Sequence, residues 1–376
     1  MKTRILAAAL VSAVVAQPAL ALKIELYDMG GLDTGTQAYT AFRAAANYWE
    51  SVITTDTVVK IDVSFYGQGV NGPVGGASVY SWSDDVQTVM DAMTATGHSA
   101  LDSIALANLP VANIDSTYRP GLKSIAMWKP AETNGSMGAD PFNVTYDTDG
   151  SKNNSDVGVS WATGKALGLV YVDDLKDGSI SFNSDLNFDF NPLDGISAGY
   201  YDFTYTATHE IGHILGYTSG VDYYDYWAPS NYYNWNLDWI GNSMDLFRYS
   251  DLGLDWSMGG EKYFSIDGGA TALFGAYLST GINYGNGFQA SHWVEGVGLM
   301  DPTSARGEMG SVRAIDLAAL DAIGWTLNLD VLANPDYRFT TANIFGYVPE
   351  PQTWAMMIMG FGMVGTMMRR KRRVAA

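Results

Sequence analysis

The chain has 376 residues, no cysteine, 40 acidic against 21 basic side chains and a formal charge of −19. Two basic residues near the start and a net four positive charges after Val348 leave −25 on residues 22–348; this argues against nucleic acid and anionic lipid as partners and allows cationic substrates or bound calcium. With no disulfide to staple it, the fold depends on a core, and the roughly 325 residues between the two ends suffice for one large domain or two lobes.

Met1-Lys2-Thr3-Arg4, the apolar run from Ile5 to Ala16 and the small-x-small step Ala19-Leu20-Ala21 read as a secretory signal peptide, residues 1–21. Ala38, Tyr39, Phe42, Ala45, Ala46, Trp49, Val52 and Ile53 then form a helical stripe, and Val59, Ile61, Val63 and Phe65 alternate as a strand. Gly67 to Gly76 is glycine-rich and predicts a loop. Ser83 is placed to cap a helix carrying Val86, Val89, Met90 and Met93, with His98 at its end as a surface histidine. Residues 101–130 predict a short helix and a strand, and the polar stretch Glu132 to Asp156 predicts surface loops. Leu167 to Val172 reads as a buried strand, and Ser179 to Asn183, after an Asp177-Gly178 turn, as an edge strand able to pair with an extended peptide. The carboxylates of Asn187 to Gly195 could hold calcium, although their spacing fits no EF-hand.

Thr204 to Asp222 carries the chemistry. His209-Glu210-Ile211-Gly212-His213 spells His-Glu-x-x-His, which on a helix points two imidazoles at one metal ion with Glu210 beside them as a general base. Thr204, Thr206 and Thr208 can cap the helix start, and Gly216 suits its end. A hydrolytic zinc needs a third protein ligand. No Glu lies between Glu210 and Glu261, and Ser219 stands where a compact His-Glu-x-x-His-x-x-Gly-x-x-His pattern has its last His. His292 is the one downstream histidine; Asp222 and Asp245 are the alternatives.

Tyr217 to Ala290 is rich in Tyr, Trp, Asn and Gly, predicting irregular structure and short strands with packed aromatics. Ser291 to Pro302 (SHWVEGVGLMDP) precedes a helix with Ile315, Ala318, Ala319, Ala322 and Ile323 on one face, ended by Gly324 and anchored by Trp325. The tail, Val348-Pro349-Glu350-Pro351-Gln352-Thr353-Trp354-Ala355, an apolar stretch to Met368 and then Arg369 to Arg373, resembles the PEP-CTERM sorting signal of Gram-negative bacteria. That resemblance implies exosortase-type sorting machinery as a partner, transient membrane anchoring through a transmembrane segment, and an envelope, surface or secreted location; a permanent anchor is the competing reading.

The His-Trp at 292–293 followed by Leu299-Met300 resembles the leishmanolysin-like branch of the metzincins, in which a long insertion precedes the third His. HEIGHxLG, SGVD, DLFRYS, FSIDGG, SHW, LMDP and LDAIGW together look like a family of exported bacterial metalloproteases that carry such tails. The resemblance implies an α+β zincin-like domain with a twisted mixed sheet, an active-site helix and a C-terminal lobe with a Met-turn. It also implies His209, His213 and His292 as zinc ligands, Glu210 as the base, Met300 in the turn, and a polypeptide substrate. Pro302 stands where some metzincins have a Tyr, so Tyr217 and Tyr249 are only guesses for an oxyanion donor. The expected units are an N-terminal lobe 22–217, an insertion and C-terminal lobe 218–335, a linker 336–348 and the sorting segment 349–376. A non-catalytic envelope or matrix protein with a structural metal is the alternative.

Overall fold

The computed structural model describes residues 21–135, 137–170, 174–228 and 233–347. The expected signal peptide, but for Ala21, and the expected sorting segment 349–376 therefore lie outside the described residues. The layer that positions the site is a four-stranded sheet of β1 (Lys23–Asp28), β2 (Val58–Tyr66), β3 (Gly75–Val79) and β4 (Gly178–Asn183), in the order β1-β2-β4-β3. β1, β2 and β4 run parallel, with Ile61 between Leu26 and Gly178, and β3 closes the edge antiparallel, Gly75 opposite Phe182. Val59, Ile61, Val63, Ile180 and Phe182 are buried, while Lys60, Asp62, Ser64, Ser179 and Ser181 between them are partly exposed. One face takes helices and the other faces water, so even parallel strands alternate here.

The first helix, α1 (Gln37–Val52), starts at Thr36, whose hydroxyl accepts the Tyr39 N–H at 3.1 Å. Its apolar stripe lies on the sheet, with Phe42 edge-on to Phe182 at 5.2 Å. α2 (Val86–Thr96) is capped by Asp85 rather than Ser83, which sits in the strand Ser81–Asp85; a carboxylate one residue before the helix takes the Thr88 N–H at 2.9 Å. The central helix, α3 (Phe203–Ile214), lies next to α1, and the Trp49 indole donates to the Thr208 carbonyl at 3.1 Å. α4 (Val221–Trp227) opens the insertion, and α5 (Ala314–Ala322) follows the segment with His292 and Met300. The aromatic insertion packs inward: Trp235 and Trp239 are fully buried against Tyr224, and buried Trp256 packs edge-on to Trp239.

Several expectations are corrected. Ser179–Asn183 is not an edge strand, since β4 pairs on both sides; the edge is β3, which begins at the end of the stretch expected to be a loop. Residues 132–156 are not loops: Met127–Asn134 and Met137–Asp147 form a hairpin, and the strand Asp156–Ser160 is wholly buried. Polar composition misleads there because the polar groups satisfy one another, buried Lys129 pairing with Glu132 and Asp147, and Asn153 and Asn154 donating to Asp147. Leu167 to Val170 form no strand but follow the helix Trp161–Ala166; the rest of that predicted strand lies outside the described residues. Residues 336–347 are not a linker: Arg338–Thr340 pairs with Ser311–Arg313, Thr341–Gly346 is helical, and Phe339 stacks on Tyr48 at 5.3 Å; Val348, the last of the expected linker, lies outside the described residues. Hydrogen bonding also crosses the expected boundary at 217/218, where Asp156–Ser160 pairs with Gly241–Asn242.

Candidate metal centre

The cap of α3 is Asp202, not one of the threonines. Its carboxylate accepts the Tyr205 N–H at 2.9 Å and is held from the other side by the Thr341 hydroxyl and the Gly310 N–H. The Thr206 and Thr208 hydroxyls instead donate to carbonyls one turn back. At its other end the helix stops at Gly216, with φ +116°, where a Cβ would stand 2.2 Å from the Thr163 hydroxyl. Only glycine meets both conditions.

His209 and His213 stand one turn apart on this helix. Nδ1 of His209 donates to the Leu299 carbonyl at 2.9 Å, and Nδ1 of His213 donates to the Tyr217 carbonyl at 2.7 Å. A carbonyl can only accept, so each ring carries its proton on Nδ1 and presents a bare Nε2 lone pair. His292 brings a third Nε2, and the three nitrogens form a triangle with sides of 3.2, 3.2 and 3.3 Å. Burial lowers His209 to about 3 and His213 to about 4, and holds His292 well below its ordinary value, with the neighbouring imidazoles adding to the shift for His209 and His292. Three neutral imidazoles thus bring their Nε2 atoms together, two of them with the ring proton held on the far nitrogen, a donor set of the kind that could take a cation. Nitrogens sharing a tetrahedral zinc at about 2.0–2.1 Å stand about 3.3–3.4 Å apart, so the donor set fits that ion in type and spacing. Among the described residues this is the only group of three or more His, Asp or Glu side chains converging in this way.

His292 reaches the helix through carboxylates of the insertion. Asp222 accepts the backbone N–H groups of Ala290 and Ser291 at 2.5 and 3.3 Å, and Asp225 accepts those of Asn283 and Tyr284, both at 2.8 Å. Asp245 accepts the Ser219 hydroxyl and the Gly220 and Asn242 N–H groups, fixing the turn into α4. The two alternative ligands are therefore engaged in positioning chain, and Ser219, at the position of the missing histidine, is part of that device.

Met300 is buried under the helix, its sulfur 2.7 Å from where a Cβ on Gly212 would lie. The neighbouring Leu299 carbonyl accepts both His209 Nδ1 and the Tyr205 hydroxyl. Asp316, at the start of α5, fixes this turn. Its oxygens accept the N–H groups of Leu299 at 2.8 Å, Met300 at 3.2 Å and Arg313 at 2.8 Å, and the Trp293 indole N–H at 2.8 Å. Asp316 was not anticipated; the signal was a carboxylate in the first turn of an otherwise apolar helix that carries only one other, Asp321.

Glu210 is buried beside the triad and has no hydrogen bond among the described residues, and burial raises it to about 8. A cation among the histidines opposes that shift. Next to it runs β3, where a Cβ on Gly75 would lie 3.1 Å from Glu210 Oε1. Glu210, the three histidines and β3 border one open cleft of about 780 Å³. Tyr217 and Tyr249 do not line it; Tyr217 packs on Trp293 at 5.1 Å and Tyr249 against Gly269. His98 is exposed at the end of α2, and Asp189, in the stretch considered for calcium, is occupied by the N–H groups of Asn191 and Ser197.

Residues 348–373 match the PEP-CTERM protein-sorting motif, which is associated with exosortase-type sorting. The chain is thus an exported protein with a sorting tail. Comparison with curated proteins and with solved structures found no match for the chain. Among the described residues no helix is long and apolar enough to cross a membrane, and the tail where one was expected lies outside them.

Proposed function

We propose that the protein is a zinc-dependent endopeptidase of metzincin type, acting outside the cytoplasm of a Gram-negative bacterium at the envelope, at the surface or after release. The observation that carries this reading is the triangle of three histidine Nε2 atoms beside a buried carboxyl that is unpaired among the described residues, on an open cleft. His209, His213 and His292 would hold the ion. Bound zinc supplies Lewis acidity, polarising the scissile carbonyl and making water acidic enough to attack near neutral pH. Glu210 accepts the proton of the attacking water on a carboxylate oxygen and returns it to the leaving amine as the C–N bond breaks. The free edge of β3 supplies backbone N–H and C=O groups to an extended peptide, the part first given to residues 179–183. No second oxyanion donor is assigned. Zinc is the only metal in this reading; calcium has no site in it.

A purely structural metal would want a fourth protein ligand, and among the described residues none joins the three histidines. The tail would be handled by exosortase-type machinery and would anchor the chain transiently. Casein hydrolysis tests the activity: the wild type cleaves, while Glu210→Ala and chelator-treated protein lose activity by at least about a hundredfold. Equal hydrolysis in all three would end the protease reading.

A further inference from the structure

The cleft over the triad is charged with one sign. Glu210, Asp222 and Asp301 bring three carboxylates to its lining, and neither lysine nor arginine contributes. Among the described residues the lining thus offers carboxylates and no side-chain cation of Lys or Arg to answer them. The two aspartates occupy different walls. Asp222 lies against the backbone just before His292, and Asp301 lies just past Met300, where it takes the N–H groups of Gly296, Val297 and Gly298 at 2.7, 3.1 and 2.8 Å.

Asp301 also belongs to the partition between the cleft and a second hollow of about 360 Å³, where Glu295 and Glu308 face Arg313 and Arg338. Those arginines are engaged with the Gly296 carbonyl at 3.1 Å and the Ser311 hydroxyl at 3.2 Å, and among the described residues neither forms an ion pair. The second hollow therefore also has more negative than positive groups. Burial pushes Asp222 and Asp301 up to about 6, so each gains from a cation brought beside it.

We infer that the cleft selects cationic polypeptide segments, with Asp222 and Asp301 as the carboxylates that recognise Lys or Arg near the bond to be cut. This inference rests on the peptidase reading for its chemistry, but its charge preference can be measured without cleavage. A partly desolvated ammonium–carboxylate contact is favourable, and a Glu in the same place meets repulsion, so discrimination comes from both sides.

The test uses the zinc-loaded exported chain and three fluorescent peptides, identical except for Lys, Gln or Glu around a common central bond. Binding is read by anisotropy on Glu210→Ala, which keeps both aspartates, and cleavage is read on the wild type. At about 50 mM salt the Lys peptide binds roughly tenfold or more tighter than the Glu peptide, with Gln between them, and the gap narrows at about 500 mM. Asp301→Asn and Asp222→Asn each reduce the preference, with zinc content and melting temperature reporting whether the variant is folded. Equal binding of the three peptides by Glu210→Ala overturns the inference, as does a preference that survives in both folded aspartate variants. Selective binding of the Lys peptide with no cleavage of any peptide upholds the charge preference and overturns the peptidase reading.

Discussion

A carboxylate inside an apolar helix is costly unless its oxygens are filled, and Asp316 meets that condition with four N–H groups drawn from three separate segments. Burial still holds its carboxyl above the usual range, so the N–H groups only partly offset desolvation. Through Trp293 it steadies the residue after His292, and through Leu299 it steadies the carbonyl that fixes the His209 tautomer. Asp316→Ala would leave those donors without their acceptor, and a loss of about 3–5 kcal/mol is expected in urea unfolding, with zinc affinity falling roughly 10- to 100-fold. Asp316→Asn, which keeps one acceptor oxygen, should fall between. An alanine variant with unchanged unfolding midpoint and unchanged zinc affinity would show that the turn holds itself.

β3 shows how a single element can be invisible in sequence and central in space. Its first two residues are Gly75 and Gly76, which remove the side-chain alternation by which β2 was read correctly from Val59, Ile61 and Val63. The glycines have different reasons. A Cβ at 75 would meet Thr206 Cγ2 at 2.8 Å and Glu210 Oε1 at 3.1 Å, whereas one at 76 would meet nothing within 4 Å. Gly75→Ala should therefore displace the Glu210 carboxyl and lower kcat at least about tenfold, while Gly76→Ala should leave the melting temperature within about 2 °C of wild type. Equal kcat in wild type and Gly75→Ala would remove the close approach from the site. The same physics explains the other misread elements. The Met127–Asp147 hairpin buries Lys129 and Asp147 together, so composition reads as surface what pairing has made core. By contrast α1 and α5 were legible from an apolar stripe and α3 from its His-Glu-x-x-His spacing, all local patterns, even though the cap of α3 was placed at Thr204, Thr206 or Thr208, two to six residues past Asp202.

At the scale of the whole chain the site is a junction between distant segments, since His213 and His292 meet across 79 residues. Spacing named the first two histidines and the lack of other downstream histidines pointed to the third, but the route between them was not legible. It depends on Asp222, Asp225 and Asp245 accepting backbone N–H groups from loops that have no periodicity. Each of those contacts orders backbone and brings three imidazole nitrogens into reach of the proposed metal. Metal should accordingly stabilise the fold as well as activate it. At zinc about 100-fold above its dissociation constant the gain is about 2.7 kcal/mol, which for a domain of this size corresponds to a rise of roughly 4 °C in melting temperature over chelator-treated protein. His292→Ala should abolish most of that rise and the bound zinc with it, while leaving the metal-free melting temperature close to that of the wild type, because among the described residues the His292 Nδ1 has no hydrogen-bond partner to lose. A variant that still binds one zinc per chain, with the same thermal shift, would show that the ion is held by the helix alone and that the long insertion serves another purpose.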